Sequence, residues 1–465
     1  MPALAEKARR FVVLMLENRS FDHMFGFLAK RDTRINGLRG TESNPDGRDG
    51  HVCVANDAGY RDPGVDPGHH FEDVNLQVFG TATPILGASA TMGGFVVDYA
   101  RVVEREKDGK AQPRDIMRCF APERLPALTA LATEFALCDA WHASVPGPTW
   151  PNRLFVHAAT SDGEANNQIR LYGVRTLVEN VLKAKRIARI YAGSIPQSLS
   201  FRRLWTKRPF EGMDAFWSAA EQGKLPDYAF IEPDYVGRNA DDQHPAHDVA
   251  SGDRLVADVY EALRGSPQWR ETVLVVTYDE HGGIYDHVPP PPAVPPDDKM
   301  SKEPPFGFDR LGVRVPTVVV SPWIPRNTVD HTLYDHTTIP ATVKEVLGLP
   351  SFLTARDAAA NTFSHLLSLE AARDDCPAAL PRPPVVARAV ALDEAPLSDF
   401  QRDLVALARL VEAAAPKATR VPGLRARTPA ASPTNEASAA EYLTRAVAHL
   451  MGPASQRIAP PRRKK

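Results

Sequence analysis

FVVLMLENRSFDH, Phe11 to His23, runs six apolar residues straight into a polar burst. An uninterrupted apolar run of this length reads as a strand buried on both faces of a parallel sheet. Glu17 and Asn18 follow it at once, with Arg19, Asp22 and His23 close behind. Burying a carboxylate without a partner is costly, so something must compensate Glu17. A second stretch repeats the pattern. TVLVVTYDEHGG, Thr272 to Gly283, ends its apolar run in Asp279-Glu280.

Three more runs read as strands of the same kind: RIARIYA (186–192), YAFIEP (228–233) and VPTVVVSP (315–322). Helical spacing lies between them. ERLPALTALATEFALC predicts one helix, and SGDRLVADVYEALRGSP (251–267) predicts another, opening on a Ser251 cap. The alternation predicts an α/β fold, a three-layer αβα sandwich around a mainly parallel central sheet. We expect one catalytic domain over 1–370. Its Gly-, Asp- and Pro-rich segment, about 30–115, forms an insertion over the sheet edge. Residues 371–465 are expected to form a smaller helical region, with helices in PLSDFQRDLVALARLVEAAA (396–415) and EASAAEYLTRAVAHLMG, and a basic tail PPRRKK.

The 55 Lys and Arg nearly balance the 57 Asp and Glu, so overall charge gives no pull towards nucleic acid. The four cysteines, Cys53, Cys119, Cys138 and Cys376, form no CxxC pair and read as reduced or buried thiols. FVVLML is too short for a signal-peptide core and ends in Glu17. No stretch is long and apolar enough to span a bilayer. The expected location is therefore cytoplasmic or at a membrane periphery.

In open α/β sheets ligands bind beyond the carboxyl ends of the strands. If the two acid-tipped strands are parallel, Glu17, Asn18, Asp279 and Glu280 converge at one sheet edge. Three carboxylates crowded there call for a cation, and oxygen ligands favour Ca, Mg or Mn. The alternative is that each pair caps a helix or faces water. In SVPGPTWPNR, prolines 146, 148 and 151 hold Thr149 on a rigid turn before a helix. A hydroxyl there is a candidate nucleophile beside an anion-favouring helix end, or simply a cap. His69 and His70, His244 and His247, His281 and His287, and His336 supply candidate proton chemistry.

ENRSFDHMFG, SVPGPTWPNRLFVHAATS, HPAHDV, TYDEHGGIYDHVPPP, GVRVPTVVVSPWI and DHTTIPATVKEVLGL occur in this order. Together they resemble the phosphoesterase family of the alkaline phosphatase superfamily. That family includes bacterial and plant phospholipases C and some bacterial acid phosphatases. The resemblance runs from residue 11 to about 350 and is nearest the non-specific phospholipase C branch. It implies a metal-dependent phosphoesterase. Glu17, Asn18, Asp279 and Glu280 would bind a divalent metal, and Thr149 would be the phosphorylated nucleophile. His244, with His247 second, would protonate the leaving group. His69, Asp139 and His281 would face or orient the substrate. Thr at the nucleophile position leans towards phospholipase C action on a phospholipid, where the acid phosphatases carry Ser. A phosphomonoesterase is the second reading. A sulfatase is a weaker reading, because P-T-W-P-N-R lacks the C/S-x-P-x-R motif. A non-catalytic lipid- or metal-binding protein is the reading from another class, with the C-terminal helices and basic tail on an anionic membrane.

Overall fold

The structure, a computed structural model, describes residues 4–85, 87–107, 109–237, 240–245, 247–385, 396–414 and 432–451. Its centre is an eight-stranded sheet. In chain order the strands are β1 (Arg10–Leu16), β2 (Ala136–Cys138), β3 (Ala188–Ala192), β4 (Phe210–Gly212), β5 (Tyr228–Glu232), β6 (Thr272–Tyr278), β7 (Thr317–Val320) and β8 (Thr328–Asp330). They lie in the order β8-β2-β7-β6-β1-β5-β3-β4. Seven strands share one direction, and β7 alone runs antiparallel to both its neighbours, β6 and β2.

The apolar runs that predicted strands all form them, because each is sealed on both faces. β1 and β6 are buried from Phe11 to Leu16 and from Thr272 to Tyr278. Helices Pro126–Glu134, Met213–Glu221 and Val249–Arg264 form one covering layer. Thr149–Ala158, Leu177–Lys183 and Thr338–Leu347 form the other. The expected α/β sandwich with a mostly parallel sheet is thus the observed one.

Local differences have physical causes. The helix predicted across ERLPALTALATEFALC stops at Glu134, and Ala136–Cys138 pairs with β7 and β8 as a strand. Ala and Leu favour helix in isolation, and pairing inside the sheet overrides that preference. The next helix is capped by Asp248, whose side chain accepts from Ala250 N; Ser251 lies inside it. The segment from 30 to 115 contains a hairpin (Ser43–Pro45 with His51–Cys53) and helices Phe71–Phe79 and Phe95–Glu106. These share an apolar cluster, Val74, Phe95 and Tyr99 among it, with Ile284 and Tyr285 of the loop after β6. The segment therefore covers the carboxyl edge of the central strands.

Helices Asp399–Ala414 and Glu436–Met451 pack on the sandwich through Leu397, Phe400, Leu404 and Leu443, which share a core with Trp150 and Tyr235. The basic tail PPRRKK lies outside the described residues. No helix among the described residues is long and apolar enough to cross a membrane.

Candidate active site

β1 and β6 are neighbours in parallel register, from Phe11 opposite Val273 to Leu16 opposite Tyr278. Their next residues, Glu17-Asn18 and Asp279-Glu280, therefore emerge side by side, as the two sequence stretches suggested. All four are fully buried. Asn18 takes a left-handed backbone (φ 52°), and its N–H donates to Asp279 Oδ1 at 2.9 Å. Asp279 Oδ1 also accepts from Glu280 N at 2.8 Å. The turn beyond needs glycine. Gly282 has φ 65°, and a Cβ there would lie 2.3 Å from Asn18 O.

Thr149 opens the Thr149–Ala158 helix and points its hydroxyl at this strand end. Its Oγ1 lies 3.3 Å from Glu17 Oε2 and 3.2 Å from Asn18 Oδ1. Asn152 builds the turn. Its Oδ1 accepts from Val145 N, and its Nδ2 donates to the carbonyls of Val145, Gly147 and Pro148. The helix end offers a phosphate less hydrogen bonding than the sequence suggested. The Trp150 N–H is given to Asn167 Oδ1 (3.1 Å), and Pro151 has none.

Arg153, one helical turn after Thr149, is a site residue the sequence reading missed. It is fully buried, 2.5 Å from Glu17 Oε1 and 3.5 Å from Asp279 Oδ2, and it donates to Met15 O at 3.1 Å. The signal was available: a charged residue at i+4 from Thr149 shares its helix face. Burial pushes the Glu17 carboxyl well above its usual range; Arg153 opposes this, and Asp279 adds to it.

Three carboxylate oxygens here have no hydrogen-bond partner: Glu17 Oε1, Asp279 Oδ2 and Glu280 Oε1. Arg153 reaches the first within ion-pair distance but without hydrogen-bond alignment. Orphaned buried oxygens of this kind are expensive alone. With Asn18 Oδ1 and Thr149 Oγ1 they form an all-oxygen donor set that fits a hard divalent cation. Their donor atoms are not gathered as tightly as those of Asp22, Asp286 and His287, which lie within 4.8 Å of one another. That second group already holds a cation of its own. Arg314 bonds Asp22 Oδ1 and Asp286 Oδ1, each at 3.0 Å. Asp22 also accepts from His287 N at 2.8 Å, which ties the β1 loop to the β6 loop.

The histidines divide. His69 is buried beside Asp66 (3.8 Å) and holds Pro67 O at 2.8 Å. Burial pushes its imidazole down, but Asp66 and Glu280 outweigh burial and hold it up to about 9. His244 uses Nδ1 on Pro245 O (3.0 Å), and its Nε2 faces Asp66 Oδ2 at 3.7 Å. Its ring lies edge-on to His69, with centroids 6.4 Å apart. His247 is enclosed: Nδ1 is 2.6 Å from Asp242 Oδ1, and Nε2 is 3.3 Å from Gln401 and 3.7 Å from Glu436. Burial again opposes the charge, yet Asp242 and Glu436 hold this ring up to about 10.

Two other expected substrate contacts are engaged with protein groups. His281 has Nε2 2.8 Å from Gln77 Oε1 and Nδ1 3.3 Å from Glu280 Oε2, so both nitrogens face protein. Asp139 accepts from Asn36 N (2.7 Å) and contacts His331 Nδ1 (2.9 Å), a surface-side bracket of the Arg314 network. Asp139 entered through the family resemblance, and His281 through its place in YDEHGGIYDHV beside Glu280. A cavity of about 710 Å³ opens over His69 and His247, walled also by Asp66, Asp399, Arg402 and Glu436.

Residues 8–350 match the model of the phosphoesterase family. The chain belongs to this family. Among curated relatives, non-specific phospholipase C6 of Arabidopsis thaliana is 42% identical over 86% of this chain and 80% of its own length. Non-specific phospholipase C1 of the same plant is 41% identical over 86% and 79%. Phospholipase C B of Mycobacterium tuberculosis is 27% identical over 50% of this chain and 52% of its own. Among solved structures, a protein in the alkaline phosphatase superfamily from Vibrio parahaemolyticus aligns over 51% of this chain and 64% of its own. It has 11% identity and a TM-score of 0.34.

Proposed function

We propose that this chain is a phospholipase C-type phosphodiesterase that cleaves glycerophospholipids through a phosphothreonine intermediate. The observation that carries the reading is the Thr149 hydroxyl meeting Glu17 and Asn18 at the carboxyl ends of the two central strands. The plant phospholipases C, alike over most of their length, support the substrate class.

Glu17, Asn18, Asp279 and Glu280 would hold one divalent cation, which when bound supplies positive charge to a phosphate oxygen and to the nucleophile. The protein's own groups do the rest. The Asn152-braced turn fixes Thr149 Oγ1 for in-line attack on phosphorus. Glu17 Oε2 accepts the hydroxyl proton. The His69 cation binds a non-bridging oxygen and neutralises charge that grows as the bond to the leaving group breaks. His244 Nε2 gives its proton to the departing diacylglycerol alkoxide. His247 is clamped between carboxylates and Gln401 and holds its proton too tightly to lend it near neutral pH. Water then attacks the phosphothreonine and releases the phosphorylated head group, with His244 taking the water proton and Glu17 returning its proton to the departing Thr149 oxygen.

The test is product analysis with phosphatidylcholine in mixed micelles. Chelator-sensitive release of diacylglycerol and phosphocholine is expected, at a higher kcat/KM than on p-nitrophenyl phosphate. Preference for the monoester would replace the phospholipase reading with the phosphatase one. No turnover of any phosphoester, with metal present, would leave a binding protein.

A further inference from the structure

One turn of the Asp399–Ala414 helix touches both ends of the proposed machinery. Asp403 Oδ2 accepts from the Trp150 indole Nε1 at 2.9 Å and from Asn167 Nδ2 at 3.2 Å. Asn167 in turn takes the Trp150 backbone N–H at 3.1 Å. The residue directly after Thr149 is therefore held at main chain and side chain by one three-membered loop of hydrogen bonds. Trp150 is fully buried, and Phe400 packs against its ring.

Two residues earlier on the helix, the fully enclosed Gln401 donates from Nε2 to Tyr235 O at 3.0 Å. The same nitrogen sits 3.3 Å from His247 Nε2. His247 passes the constraint to Asp242, whose Oδ1 also accepts from His244 N at 3.2 Å. The Asp242 carbonyl accepts from Glu17 N at 2.9 Å. A chain of contacts thus runs from Gln401 to the loop that carries the leaving-group acid and to the first carboxylate of β1.

We propose that Asp403 and Gln401 are positioning residues of the reaction, so that this C-terminal helix sets the nucleophile turn through Trp150 and the His244 loop through His247. The inference rests on the Thr149–His244 reading above. Packing alone would not need it. Phe400 and Leu404 already bury the helix in apolar contact, whereas Asp403 Oδ2 is spent on the residue beside the nucleophile and Gln401 Nε2 on Tyr235 O and the histidine loop, while Gln401 Oε1 accepts from Ser398 N at the helix start.

The experiment compares full-length Asp403→Asn, Asp403→Ala, Trp150→Phe, the Asp403→Ala/Trp150→Phe pair, Gln401→Leu and Thr149→Ala. Phosphatidylcholine and bis(p-nitrophenyl) phosphate serve as substrates. Misplacing a reacting atom by about 1 Å can cost about 100-fold. Asp403→Ala, Trp150→Phe and Gln401→Leu should therefore lower kcat about 10- to 100-fold with little change in KM. Asn keeps an acceptor for the indole, so Asp403→Asn should recover most of the lost kcat. The double variant should be no slower than the worse single one, because both changes remove one hydrogen bond. Trp150→Phe also covers the case in which Asp403→Ala does not fold. Wild-type kcat in Trp150→Phe or in Gln401→Leu, or additive losses in the pair, overturns the inference. Thr149→Ala separates the two levels. If it is inactive while the others match wild type, the positioning inference alone has failed. If it turns over normally, the nucleophile reading has failed and takes this inference with it.

Discussion

Thr149 Oγ1 lies 3.3 Å from Glu17 Oε2, although 132 residues separate the two in the chain. The contact joins the first strand of the sheet to the first turn of a helix in the covering layer. It predicts a sharp mutational result. Thr149→Ala should reduce kcat on phosphatidylcholine by about three orders of magnitude or more, as removal of a nucleophile does. Thr149→Ser should retain measurable turnover, since it keeps a hydroxyl at the same atom. Single-turnover quenching followed by phosphoamino-acid analysis checks both, and labelled phosphoserine in the Ser variant would fix the site.

Glu17→Gln tests the cation. Burial already pushes the Glu17 carboxyl towards its neutral form in the metal-free protein, so the neutral amide is a close mimic of it. The fold should hold, with thermal unfolding near that of wild type. Divalent-ion affinity, read by calorimetry on chelator-stripped protein, should fall at least about tenfold, because a charged oxygen ligand is lost. Unchanged affinity would remove Glu17 from the ligand set.

Much of this was legible in the sequence, and the reason is chemical. Short fully apolar runs rich in β-branched residues fit strands sealed on both faces, and two such runs tipped with acids point to the same sheet edge. What escaped was of two kinds. Short pairings such as Ala136–Cys138 and Phe210–Gly212 are made by their neighbours, with no pattern of their own to announce them. Long-range partners escaped too. Nothing near Arg153 in sequence says that it will meet Glu17 and Asp279, and nothing near Asp403 says that it will hold Trp150. His281 was drawn in by its place beside Glu280, and its ring spans from Glu280 Oε2 to Gln77 on the covering segment, a partner its own neighbourhood in sequence does not announce.

Arg153→Met should be strongly destabilising. The guanidinium is the nearest positive charge to Glu17 and Asp279, and both pairs are wholly buried. Removing the cation from such a group typically costs about 3–5 kcal/mol, because the Asp279 carboxylate stays buried and uncompensated. Urea unfolding of the metal-free variant should show that loss, and added divalent cation should restore part of it. A shift below about 1 kcal/mol would mean that solvent or protonation already relieves the carboxylates.

His244→Gln should separate leaving groups. Loss of a general acid costs typically about 100- to 10,000-fold when the departing group is a basic alkoxide. The variant should therefore be crippled on phosphatidylcholine. On p-nitrophenyl phosphorylcholine, whose phenolate leaves without a proton, the loss should be much smaller. His247→Gln should slow both substrates alike, since its ring braces the loop between Asp242 and Gln401. The opposite pattern would exchange the roles of the two histidines.

Stability should also carry the signature of Asp403. Burial raises its carboxyl to about 7, against the opposing pull of the Trp150 hydrogen bond. The unfolded chain releases that proton near the ordinary Asp value of about 3.9. Between about pH 4 and 7 the folded state holds a proton that the unfolded state has lost, so this group's contribution falls as pH rises and levels off above about 7. Asp98 and Asp253, also held up to about 7 by burial, slope the same way, so the wild-type curve is a sum. Asp403→Asn removes one term from it while leaving an acceptor for the indole. The Tm of the variant should therefore sit near that of wild type at about pH 4.5 and rise above it by about pH 7.5, since only the wild type must ionise or keep a costly proton there. A constant gap between the two scans would place the Asp403 titration outside that window.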